Sequence, residues 1–282
     1  MSERYAYFTL QERDIDESLE ARLSAFSVIV YNTSIPPERM IDVRRRLPFS
    51  ILLGYINAGE INFPPDREPE WEYAKEVKET FPARALWKKL NGYGVSFYTG
   101  PDGRATTSHY SLTPEAIRWQ VERSVERIRS GGASGVYVDD LSSYLPPFRI
   151  RQIEAWGGID ANGDGVADTA HEIAAFYTDA NPVLSWAIRK AWPEAIIIGN
   201  SGVGRIDHAL NGISLESAFA AAKYRASFDF AHSPTFGIAW CENPIELASA
   251  RAVLGISSDL KERVLIGQYG NGMEIVPGSN RA

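Results

Sequence analysis

Short apolar runs of strand-forming residues recur along this 282-residue chain, separated by segments that read as helices. That alternation limits the fold more than any other feature. The runs are SVIVYN (27–32), SILLGYIN (50–57), GYGVSFY (92–98) and GVYVDD (135–140), then AIIIGN (195–200), GISLES (212–217), GIAWCE (237–242) and RVLIGQYG (263–270). Apolar residues fill consecutive positions instead of alternating, as expected for parallel strands covered on both faces. Eight such strands with helices between them, in a chain of this length, predict an α/β protein of the (β/α)8 barrel type. We read residues 1–282 as a single domain. The rival, an open doubly wound sheet, lacks support because YNTSIPP after the first run is no glycine-rich phosphate loop.

The connecting segments carry helix punctuation. Thr113 and Pro114 start a helix whose Ile117, Val121, Val125 and Ile128 share one face, and Gly131-Gly132 stop it. Asn181-Pro182 predicts a second start, with Leu184, Ile188 and Ala191 inward, and Asn243-Pro244 a third. A helix is also expected over residues 14–26. Few residues follow the last run, too few for a closing helix, so the 14–26 helix would take that place in the outer ring. Two long loops emerge at the C-terminal ends of strands, where barrel enzymes keep their chemistry: AGEINFPPDREPEW, and an insertion over about 141–168.

Those strand ends are polar. They carry Tyr31 and Asn32, then Tyr55, Asn57 and Glu60, then Asp139-Asp140, Asn200, Glu216, and Gln268-Tyr269. Burying a lone carboxylate is costly, so acids at such positions are paired, hydrogen-bonded or at work. Two carboxylates on different strands are what glycoside hydrolysis requires, and Asp139 with Glu216 is the pair we select. Asp139 is read as nucleophile or base and Glu216 as acid, with the reverse assignment left open. Strand alternation directs Asp140 away from Asp139, toward the surrounding helices or loop.

In their order along the chain, GYINAGEIN, GVYVDDLSSY, IIIGNSG and GISLESAF resemble the motifs of glycoside hydrolase family 114, the endo-α-1,4-polygalactosaminidase-like barrels. Tyr55, Ile56, Gly59 and Glu60 match a Tyr-Ile-x-x-Gly-Glu stretch, Asp139 a strand-ending aspartate, and Glu216-Ser217 a Glu-Ser pair; Asp140 stands where that family often has Asn. The resemblance spans roughly residues 27–270 through short motifs. It implies an α-linked amino-sugar polysaccharide or oligosaccharide as substrate, with Asp139 and Glu216 catalytic. Around them, Tyr31, Tyr55, Asn57, Glu60, Asp140, Asn200 and Tyr269 would bind sugar hydroxyl or amino groups. The alternatives are a barrel that binds carbohydrate without cleaving it, or a structural or virion-associated protein on an old hydrolase scaffold.

DANGDGVAD, residues 160–168, has the spacing of a calcium loop. Asp160, Asn162, Asp164 and Asp168 supply side-chain oxygens, Val166 a carbonyl, and Gly165 the sharp turn. The twelfth position is His171, so a bidentate ligand would come from Glu172 or from elsewhere. A structural Ca2+ is therefore expected, and no redox cofactor.

Other classes find little support. The net charge is −7 and the one basic run, Arg44-Arg45-Arg46, is too short for a phosphate-binding face, so no nucleic-acid partner is expected. The four histidines lack zinc spacing, and Asn200-Ser201-Gly202 is no G-x-S-x-G elbow. Cys241, the one cysteine, reads as a buried thiol. The start MSERYAYFTLQERDIDES shows no signal-peptide pattern, and no run is long enough to span a bilayer.

Overall fold

A computed structural model describes residues 5–10, 21, 23–24, 26–65, 68–69, 71–97, 104–141, 145, 147–200, 209–216, 236–241 and 264–269. Side chains are described over these residues except at 5, 7–10, 177–179, 213, 215–216, 236–241 and 264–269. The strands are β1 (Tyr5–Leu10), β2 (Val28–Asn32), β3 (Ile51–Asn57), β4 (Glu60–Ile61), β5 (Lys88–Lys89) and β6 (Ser108–His109). They continue as β7 (Gly135–Asp139), β8 (Ile159–Asp160), β9 (Ile196–Asn200), β10 (Gly212–Glu216), β11 (Phe236–Cys241) and β12 (Val264–Tyr269). Eight of them pair in parallel in the order β1-β12-β11-β10-β9-β7-β3-β2, and β1 also pairs with β2, so the order returns to its start.

One strand of this ring differs from expectation at each end of the prediction. YAYFTL at the N-terminus is a strand, and GYGVSFY is not one of the eight. Gly92 and Gly94 interrupt that run, and Tyr93 is 67% exposed while Val95 is buried. A run that is exposed over residues 91–93 and buried only at Val95 is not a doubly covered strand. The added N-terminal strand also changes the role of the 14–26 helix. Of that segment Ala21 and Leu23 are described and helical, and they lie on the connection from β1 to β2, not in a closing position.

Strand parity separates two cores. Val28, Val30, Leu53, Tyr137 and Ile198 pack inside the ring with Ala6. Ile29, Tyr31, Leu52, Ile56, Val136, Val138 and Ile197 face outward against helices. Gly54 is outward too, where an added Cβ would lie 2.3 Å from Ile128 Cγ1, so only glycine lets the helix approach this closely.

The helices are α1 (Pro37–Arg46), α2 (Glu72–Thr80), α3 (Pro114–Trp119), α4 (Glu126–Ser130), α5 (Pro147–Ala155) and α6 (Ala170–Ala191). Thr113 caps α3 by accepting the Ala116 N–H at 3.2 Å, and a π-helical stretch, Gln120–Val125, joins α3 to α4. Gly132 closes this unit at φ +74°. The start expected at Asn181 is instead inside α6. The capping box of Thr169 and Glu172 begins that helix twelve positions earlier, and Pro182 sits within it. Leu184 and Ile188 face inward as expected, but Ala191 is exposed and Trp192 takes the buried place. The Asn243-Pro244 helix and the Cys241 side chain lie outside the described residues. The Arg44 guanidinium donates to Gly132 O, Ser50 O and Ser134 Oγ, lacing α1 to the entry of β3 and β7.

The two long loops build on each other above the C-terminal ends of the strands. β4 pairs antiparallel with β6, and β5 with β8. One small core gathers Ile61, Phe63, Val77, Phe81, Tyr110 and Trp119. A second gathers Trp87, Val95, Leu145, Ile153, Ile159 and Ile173. Ser111 Oγ, accepting from Trp87 Nε1 at 2.7 Å, donates to Ala161 O at 2.6 Å and so stitches the two insertions together.

Candidate active site

Inward parity delivers one polar residue after another to the C-terminal end of the ring. In register, Asn57 of β3 is opposite Asp139 of β7, and Asn200 of β9 is opposite Ser214 of β10. Asp139 continues the inward series of Tyr137, whose hydroxyl pairs with Ser214 Oγ at 2.7 Å. Position 216 is two residues beyond Ser214 on the same strand face. The side chains of Glu216 and Tyr269 lie outside the described residues.

Asp139 is held from both flanking strands. Tyr55 donates its hydroxyl to Oδ2 at 2.6 Å, and Asn200 Nδ2 donates to Oδ1 at 2.7 Å. The Asp140 N–H donates to Oδ1 at 2.8 Å. The direction of these bonds is fixed from further back. Asn57 Oδ1 accepts the N–H groups of Gly59 and Glu60, each at 2.8 Å, so its Nδ2 is the end facing Tyr55 Oη, 3.2 Å away. Tyr55 therefore accepts from Asn57 and gives its proton to Asp139. Desolvation raises the Asp139 carboxyl above the ordinary aspartate range, the bond from Tyr55 opposes that, and the neighbouring Asp140 charge adds to it. Tyr55 is itself pushed well up, by desolvation first and the Asp139 charge second.

Asp140 turns away from its neighbour, as strand alternation requires, and at φ 55° occupies left-handed backbone that Asp tolerates better than most residues. Its Oδ2 lies 2.7 Å from Arg149 Nη1. Arg149 Nη2 reaches Glu60 Oε1 at 3.1 Å, and His109 Nε2 lies 3.1 Å from the same oxygen. Glu60 Oε2 accepts from Thr107 Oγ1 at 3.0 Å. Glu60, His109 and Arg149 are all buried. Burial holds His109 below the ordinary imidazole value, against the pull of Glu60. Glu60 and Asp140 thus belong to one buried network rather than presenting free carboxylates.

Tyr31 belongs to neither group. It is 2% exposed in the outward layer, with its hydroxyl donating to Ile128 O at 3.4 Å. Asn32, not the expected Tyr31, shares the inward parity of Val28 and Val30. Arg149 was also missed in the sequence. Its signal is its place four residues before Ile153, on the one buried face of α5.

The 160–168 loop folds on its own polar atoms. Asp160 accepts the N–H groups of Gly163 and Gly165, Asn162 that of Asp164, and Asp164 that of Val166. Asp168 accepts from the Ala161 N–H at 2.6 Å and from Asn162 Nδ2 at 3.0 Å. Glu172 is spent on Thr169 in the capping box. Among the described residues no three His, Cys, Asp or Glu side chains gather closely enough to hold a metal ion. No described helix is long and apolar enough to cross a membrane.

No protein-family profile matches the sequence, and no curated protein matches it. Solved structures do match its fold. The glycoside hydrolase domain of PelA from Pseudomonas aeruginosa aligns over 95% of this chain and 95% of that one, with a TM-score of 0.58 and 13% identity. A cycloalternan-degrading enzyme from Trueperella pyogenes aligns over 97% of this chain and 44% of its own, with a TM-score of 0.57 and 11% identity. An α-amylase from Malbranchea cinnamomea aligns over 95% of this chain and 68% of its own, at 0.51 and 9%. At these identities the likeness is one of fold: an α/β chain on a parallel sheet, similar in architecture to glycoside hydrolases.

Proposed function

We propose that the chain is a (β/α)8-barrel glycoside hydrolase acting on an α-linked amino-sugar polysaccharide, with Asp139 and Glu216 as its two working carboxylates. The observation that carries this reading is the setting of Asp139. It stands at the end of an inward-facing strand position and accepts hydrogen bonds on both oxygens from Tyr55 and Asn200. These bonds favour its charged form and oppose the cost of burial. It can then attack the anomeric carbon, or take a proton from the attacking water, while Glu216 protonates the departing glycosidic oxygen. The names of the structural neighbours support the reaction class, and the amino-sugar assignment rests on the motif resemblance alone.

The test is hydrolysis of α-1,4-linked galactosamine polymers, free and N-acetylated, by the wild type and by Asp139→Asn and Glu216→Gln. The expected result is turnover by the wild type and a loss of about 10²–10⁴-fold in each variant. Turnover that survives both substitutions would sink the assignment. Binding of these glycans without turnover would instead favour a non-catalytic carbohydrate-binding protein.

We also propose that the 160–168 loop takes a structural Ca2+ through Asp160, Asn162, Asp164, Asp168 and the Val166 carbonyl, the ion drawing together side chains that do not gather into a metal site without it. An ionised carboxylate has about four lone-pair sites, so the N–H bonds within the loop leave oxygen capacity for a hard cation.

A further inference from the structure

Beside the candidate site lies a cavity of about 510 Å³, within the range of roughly 300–1,000 Å³ typical of small-molecule sites. Asn32, Ser34, Asn62, Glu68, Trp71 and Tyr73 contribute to its wall. It shares Asn62 and Tyr73 with a smaller cavity that reaches Tyr55, Asn57 and Glu60. Asn32 stands opposite Tyr55 in the β2–β3 register, and Tyr55 bonds Asp139, so the larger cavity opens beside the strand ends that carry the candidate carboxylate.

The chemistry of the wall is specific. Trp71, the residue that opens α2, is 49% exposed. Asn32 Oδ1 accepts the Ser34 N–H at 2.9 Å, which leaves its amide N–H groups as the donors it offers. Asn62 and Thr106 are exposed and carry further donors and acceptors. Glu68 is the one charged group among the described wall residues, and Lys78 Nζ balances it at 2.6 Å. A nearly neutral wall with one indole face and several amide and hydroxyl groups does not suit a phosphate, which calls for cations. It suits a pyranose ring, whose C–H face lies on an aromatic surface while its hydroxyls bond at the edge.

We propose that this cavity is a second sugar subsite, which binds a pyranose unit of the glycan chain against Trp71, with Asn32 and Asn62 on its hydroxyls. The inference rests on the glycan reading of the site and adds to it. The substrate is a chain bound across at least two units, and affinity grows with chain length.

The experiment uses a ladder of N-acetylated α-1,4-galactosamine oligosaccharides, from disaccharide to octasaccharide. Each is titrated calorimetrically into the full-length Asp139→Asn protein, alone and with Trp71→Ala or Trp71→Phe. The expected result is that Trp71→Ala weakens the long members about tenfold and the disaccharide much less, whereas Trp71→Phe restores most of the loss. Near-UV circular dichroism checks that each variant is folded. Equal losses at every length, or no loss, would overturn the subsite. Wild-type hydrolysis of the same ladder separates the two readings. Cleavage without any length-dependent effect of Trp71 removes the subsite and keeps the hydrolase. Trp71-dependent binding without cleavage keeps the subsite and removes the hydrolase. Absence of binding by every member overturns both.

Discussion

Tyr55 hands its only hydroxyl proton to Asp139 Oδ2 across the β3–β7 pair, because Asn57 already occupies an acceptor site on the same phenol oxygen. The carboxylate is therefore held by a relay that begins in the backbone N–H groups of Gly59 and Glu60. Removing the phenol oxygen with Tyr55→Phe deletes a bond to a charged group. We expect kcat/KM on the glycan substrate to fall about 10- to 100-fold, the kinetic equivalent of about 1.5–3 kcal/mol. The acid limb of the pH–rate profile should move upward, since the bond that favours ionised Asp139 is gone. An unmoved acid limb would show that Asp139 is not the group titrating there.

Burial raises the Asp139 carboxyl in the folded state. The unfolded chain then releases that proton at lower pH than the folded one. Stability is lost as pH rises through the unfolded value, near 4, and continues to fall until the raised folded value is passed. Asp139→Asn removes this penalty. The variant should melt at a higher temperature than the wild type at pH 7, with the gap closing below about pH 4. A lower melting temperature at pH 7 would mean that the hydrogen bonds to the charged oxygens outweigh the cost of burial.

Arg149 balances two acids, Glu60 and Asp140, in a buried setting. Arg149→Met leaves both without their shared cation, and urea unfolding should report a loss of about 3–5 kcal/mol. Adding Glu60→Gln and Asp140→Asn to that variant should recover much of the loss, because no buried charge is then uncompensated. A triple variant as unstable as the single one would place the value of Arg149 in its packing against Phe97 and Phe148 instead.

Removal of calcium with EDTA should lower the melting temperature, and Asp160→Ala should abolish that difference. Since Asp160 also accepts the N–H groups of Gly163 and Gly165, the variant will be less stable even in EDTA. The informative quantity is the calcium-dependent shift, and identical melting curves with and without the ion would remove the metal from this loop.

Much of the frame was legible because its residues obey a simple parity. Continuous apolar runs located seven of the eight ring strands, and the same two-residue period carries Tyr55, Asn57, Asp139 and Asn200 to one end of the ring. The same rule turns Tyr31 outward, since its neighbour Asn32 has the inward phase. YAYFTL escaped notice although its Tyr, Phe and Thr are good strand formers. Set between polar stretches, it has no continuous run of aliphatic residues such as locates the others. The Arg149 network was illegible for another reason. It joins Glu60, His109 and Arg149 across as many as 89 positions, and nothing in local spacing announces a pairing set by how two insertions fold together.

The antiparallel pairing of β5 with β8 makes those insertions a single lintel over the strand ends. One core is shared between them, for Trp87 and Val95 come from one insertion and Ile153 and Ile159 from the other. Transplanting either segment alone onto a relative would carry half a roof. A change in one insertion at this seam therefore calls for a matching change in the other.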